Sequence, residues 1–189
     1  AAVADALTRA GADTLLPGVI VSGERLRAVD SRLGDRTLRP ADLVRLEIAN
    51  SVNRYWARLI RMISLGPPPA ETAELYEQVR LAQEEQIARL VPGAIPSELD
   101  TFVRSRLPLG LWAMQLSGYA LACHECRASG GELDRFWIVR DEYRPLAAGM
   151  VLHMVLTAGP GLSVGDTVVV TEQGGQYLTT YPRDLIVIE

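Results

Sequence analysis

Lysine is absent: all 19 basic residues are arginine. The chain therefore holds no lysine that could act as a nucleophile or form a Schiff base. Arginine-only usage of this kind is what a GC-rich bacterial genome produces. Cysteine and histidine are scarce, two of each. No stretch reaches the roughly 18 uninterrupted apolar residues of a membrane span. The first residues, AAVADALTRAGAD, lack the basic start and apolar run of a signal peptide. Net charge is −4, which leaves no basic footprint for nucleic acid. These absences predict a cytoplasmic protein with neither membrane nor nucleic-acid partners.

What is present is a chain of 189 residues, 48% hydrophobic, long enough for one domain with a substantial core. Both cysteines and one histidine fall in one stretch, Cys123-His124-Glu125-Cys126. Structural zinc sites draw their ligands from two separated pairs. Only His153 remains to complete a second pair, so a zinc knuckle is not expected. No βαβ context precedes the motif, which argues against a thioredoxin-like redox pair.

Periodicity orders the rest. Residues 2–11 read as a helix ending at Gly11, and Leu16–Ser22 as a short apolar strand. Residues 24–42 read as loop. Leu43–Ala49 and Arg54–Leu65 alternate as strands, with Asn50-Ser51-Val52-Asn53 as the hairpin turn between them. Alternation puts Glu47 on one face of the first strand, and Trp56, Arg58 and Ile60 on one face of the second. Gly66-Pro67-Pro68-Pro69 breaks the chain ahead of a helix over 70–90. A second helix is predicted from Ser97, as N-cap, through about Arg106. Strands follow over 112–116, 119–123, 149–157, 166–171 and 184–188, with Glu172-Gln173-Gly174-Gly175 as a turn. The order predicts an α+β fold.

Three segments carry a resemblance. "LRPADLVRLEIANSVNRYWARLIRMISLG" is similar to the pattern LrpGDlV-iD-ga---GY-sDitRt---G. "SGYALACHE" is similar to HGlGl-vHE. "LAAGMVLHMVL…GDTVVVTEQGGQYLTTYPRDLIVI" is similar to L-pGMvftiEP…EDtvlVTedG-e-LT. In that order they resemble the pita-bread fold of methionine aminopeptidase, proline dipeptidase and creatinase. The resemblance implies a single domain over 1–189, a curved antiparallel sheet flanked by helices. It also implies N-terminal truncation, with the family's first helix missing.

Peptidases of that family hold two divalent metals with two Asp, one His and two Glu. The resemblance places those positions on Glu47, Arg58, Ser117, Val155 and Gly165. One carboxylate of the five remains, and a cation stands at the second position, where it would repel a metal. No metal and no cofactor are therefore expected. Creatinase works without metal through a histidine upstream of the first ligand strand, but here that position falls near Asp30, and no histidine precedes His124.

Candidate residues follow from what the resemblance leaves. His124 and His153 are candidate acid/base groups. Arg58, Glu47, Glu125, Ser117, Tyr119 and Trp56 are candidate substrate contacts, and Trp112 is a candidate pocket wall. Glu47 and Arg58 are expected to face each other as a salt bridge or, alternatively, Arg58 to bind a substrate carboxylate. Two functions stay open. One is a metal-independent enzyme acting on a small amino-acid- or peptide-like molecule by cyclisation, elimination or isomerisation, in bacterial specialised metabolism. The other is a catalytically inactive pseudo-peptidase that binds or assembles. A homodimer is expected for either.

Overall fold

The structure is a computed structural model that describes residues 2–15, 19–28, 34–107, 116–121 and 136–189. It opens with helix α1 (Ala2–Arg9) and short strands β1 (Thr14–Leu15) and β2 (Val19–Ser22). A 3₁₀ turn over Gly23–Arg27 follows within the stretch expected to be loop. Then come the long strands β3 (Leu43–Val52) and β4 (Tyr55–Leu65), and helices α2 (Ala70–Ile87) and α3 (Pro96–Ser105). The chain closes with β5 (Gly118–Ala120), β6 (Trp137–Ile138), β7 (Val151–Ala158), β8 (Leu162–Thr171), β9 (Gly174–Tyr177) and β10 (Ile186–Ile188). The α+β class expected from the sequence is the class observed.

Among the described residues, all ten strands join one sheet, ordered β1-β3-β4-β8-β7-β5-β6 along its main path. β2 and β9 add to β3 and β8, and β10 runs parallel to β4. β3 and β4 pair closely from Leu43↔Ser64 to Val52↔Tyr55. β7 and β8 do the same from Val151↔Val169 to Ala158↔Leu162. These two hairpins touch at one register pair, Ile60↔Gly165.

The hairpin turn differs from its expected place. Asn50, Ser51 and Val52 belong to β3, and the turn is Asn53-Arg54, both with positive φ (52° and 69°). Asn and Ser read as turn residues, yet here Ser51 and Asn50 pair with β4 on one side and β1 on the other. The Ser51 hydroxyl also donates to Asp13 at 2.6 Å. The helix start is likewise shifted: Ile95 is the N-cap of α3 and Pro96 sits in its first turn, where a missing N–H costs nothing.

Helices α2 and α3 cover one face of the sheet. α2 begins after the proline run and buries Tyr76, Val79, Ala82, Gln83, Gln86 and Ile87, one stripe at helical spacing. Against that stripe lie Leu152, Met154, Val168 and Val170, and further along Leu156, Ala158 and Val164. These are alternate positions of β7 and β8, so His153, Val155, Gly165 and Thr167 belong to the opposite face. Of the turn expected over 172–175, Glu172-Gln173 form the turn, and Gly174 and Gly175 start β9 beneath the end of α2. A Cβ on Gly174 would lie 2.7 Å from the Ala88 carbonyl oxygen, and one on Gly175 2.8 Å from that of Ile87. Gly174 has φ 111°, a backbone conformation that favours glycine, and both glycines lie close against the end of the helix.

A buried ionic group ties the two hairpins together on the helix side. Arg61 donates to the carbonyls of Ile60 (2.8 Å), Gly165 (2.9 Å), Tyr181 (2.8 Å) and Pro182 (2.7 Å), and to Asp166 at 2.7 Å. Asp166 also accepts from Thr179 (2.9 Å) and Arg183 (3.0 Å). The segment before β10 is thus strapped across the junction of β4 and β8.

Candidate functional site

The face away from the helices carries a polar cluster at the junction of the two hairpins. Alternation in β3 and β4 brings Glu47 and Arg58 to that face. Register places Arg58 opposite Ala49 and Glu47 opposite Ile60, so the two meet on the diagonal. The Arg58 guanidinium donates to the Glu47 carboxylate, with both side chains more than nine-tenths buried. It donates as well to the hydroxyl of Tyr119, which β5 presents from across the sheet.

Tyr119 in turn lies opposite His153 in the β5–β7 ladder. Their rings meet edge to face, with centroids 5.3 Å apart and planes at 67°. His153 is 1% exposed. Next to it Thr167 bridges the gap where β4 and β8 diverge. Its hydroxyl accepts from the Arg58 backbone N–H at 2.8 Å and donates to the Arg58 carbonyl at 2.9 Å. Thr167 carries no signal in the sequence; the need for it arises only because the two strands splay.

Apolar neighbours close the cluster. Ile60, Tyr119, Leu121 and Val155 pack together, with Trp56 and Trp137 partly buried against them. Trp56, a candidate substrate contact, is therefore half-buried in this apolar wall. Ser117 is fully buried, and its hydroxyl accepts from the Gln86 side-chain amide of α2 at 2.8 Å. It also donates to the Ile138 carbonyl at 3.4 Å, so its hydroxyl bonds α2 and β6 rather than the Glu47–Arg58 pair. His124, Glu125, Cys123, Cys126 and Trp112 lie outside the described residues.

The two-metal donor set can be tested against this geometry. Arg58 neutralises the one remaining carboxylate, Val155 packs in the apolar wall, and Ser117 is held by Gln86. Gly165 offers no side chain, and the His153 ring lies against its Cα. Among the described residues, no three His, Cys, Asp or Glu side chains gather to hold an ion. These residues do not fit a dinuclear centre. Asp166, the acid beside Gly165, cannot substitute for one: it faces the helices and is bound by Arg61 and Arg183.

The sequence pattern defining metallopeptidase family M24 matches residues 1–172. The Xaa-Pro dipeptidase of Pyrococcus furiosus is 26% identical over 181 residues, covering 89% of this chain and 48% of that protein. The probable dipeptidase PepE of Mycobacterium bovis is 25% identical over 196 residues, covering 98% and 50%. In three dimensions, the crystal structure of dipeptidase PepE from Mycobacterium ulcerans matches with a TM-score of 0.87 at 24% identity, over 99% of this chain and 51% of that one. The chain spans about half the length of the curated relatives it matches.

Proposed function

This chain belongs to metallopeptidase family M24 and has its pita-bread fold, and we propose that it is a repurposed member that binds or assembles rather than hydrolyses through metals. The observation that supports this reading is the buried Glu47–Arg58 pair. A divalent ion about 4 Å from a guanidinium meets a repulsion of roughly 8 kcal/mol at an effective dielectric near 20. The pair also satisfies Glu47, which would otherwise be a stranded buried charge. Tyr119 and His153 complete the closure from β5 and β7.

The relatives named Xaa-Pro dipeptidase supply the ligand class to try first: short peptides ending in proline. The second reading is a metal-independent enzyme. What favours it is that Arg58, Tyr119 and His153, an anion-binding group and two proton-carrying groups, are adjacent.

One assay separates the readings from the ancestral chemistry. Purified protein is incubated with Xaa-Pro dipeptides and Mn²⁺ or Co²⁺, and free proline is measured alongside calorimetric binding. Absence of metal-stimulated turnover supports the proposal. Metal-stimulated release of proline that is lost in Glu47→Ala overturns it.

A further inference from the structure

Gly165 holds the single register pair between the two hairpins, with Ile60 on one side and Val155 on the other. Its φ is not in the left-handed region, so backbone conformation does not require glycine there. Space does. A Cβ at 165 would stand 2.8 Å from His153 Cε1, 2.9 Å from Ile60 Cγ1 and 3.1 Å from Ile60 Cβ. The shortest of these contacts is with an imidazole that is itself held edge-on by Tyr119 and 1% exposed, so it has little room to retreat.

We infer that His153 and Gly165 are a matched exchange between neighbouring strands. The imidazole of β7 fills the volume that a side chain from β8 would need at 165. The centre is therefore closed by shape as well as by charge, and a carboxylate cannot return to 165 while histidine occupies 153. The inference deepens the reading of a closed centre and rests on it. Its test reads packing alone, so its failure would leave the metal and turnover results standing.

The experiment is a double-mutant cycle of urea unfolding with wild type, His153→Ala, Gly165→Ala and H153A/G165A. Each single substitution is expected to lower the unfolding midpoint, the first by opening a cavity and the second by overpacking. The double variant should have a higher midpoint than Gly165→Ala, because the new methyl enters the space the ring leaves. Recovery should be partial, since Ile60 still bounds the site. A double-variant midpoint at or below that of Gly165→Ala overturns the inference. Should Gly165→Ala give no folded protein, the double variant decides: a folded one supports the exchange and an unfolded one overturns it.

Discussion

Arg58 stands opposite Ala49 in the β3–β4 ladder, yet its guanidinium binds Glu47 on the diagonal. Removing one member of a buried pair leaves an uncompensated charge, and such losses run to about 3–5 kcal/mol. Arg58→Met should therefore lose roughly that much stability, read by chemical denaturation. Glu47→Gln with Arg58→Met removes both charges and should lose clearly less than Arg58→Met alone. Equal losses for the single and double variants would mean that the pair is not what stabilises Glu47.

Three described non-glycine residues have positive φ; asparagine tolerates it at Asn53, and the other two are Ala41 and Arg54. Ala41 has φ 66° and Arg54 φ 69°, and the family patterns resembled by this sequence have glycine at both. The left-handed region costs a side-chain-bearing residue about 1–2 kcal/mol, partly offset by the entropy glycine adds to the unfolded chain. Ala41→Gly and Arg54→Gly should each raise stability by up to about 1 kcal/mol. Arg54→Gly would put glycine directly after Asn53, giving the Asn-Gly pair preferred in two-residue hairpin turns. Thermal unfolding of the two variants checks this.

Asp42, ahead of β3, accepts from the Arg36 guanidinium at 2.5 and 2.9 Å and from the Arg39 N–H at 2.8 Å. The hydrogen bond from Arg36 holds its carboxyl below the usual range, against a smaller opposing effect of burial. A folded-state pKa below the unfolded value means the carboxylate contributes stability above the ordinary carboxylate range. That contribution is lost as pH falls through the folded value. The stability gap between wild type and Asp42→Asn should be full at pH 7 and should shrink below about pH 4. Denaturant midpoints measured from pH 7 to pH 3 test it, and a constant gap would contradict it.

Arg61 bonds four carbonyls and Asp166 through one planar guanidinium, a geometry lysine cannot reproduce. Arg61→Lys should free the strap over residues 178–185. Limited proteolysis should then cut within it faster than in wild type, before the β7–β8 hairpin is attacked.

The architecture was legible where one period ran unbroken. Alternation located the strands that carry Glu47 and Arg58, and the 3.6-residue pattern after the prolines located α2. The turn was misplaced because Asn50 and Ser51, turn residues by type, are held in β3 by β1, a two-residue strand too short to show in sequence. β6 and β9 are likewise short, and the turn read over 172–175 is confined to Glu172-Gln173, with Gly174 and Gly175 opening β9 against α2. At the site, the Glu47–Arg58 pair was legible through the resemblance, which sets both residues at metal-ligand positions. Thr167 and the His153–Gly165 contact depend on how two hairpins splay and meet, a long-range relation that no local pattern encodes.

The central claim is that Arg58 and its neighbours occupy the place of the family's metals. Metal analysis of purified protein after saturation with Mn²⁺ or Co²⁺ and removal of free ion tests it most directly. The account predicts no stoichiometric metal in the wild-type chain; two equivalents per chain, reduced by Glu47→Ala, would contradict it.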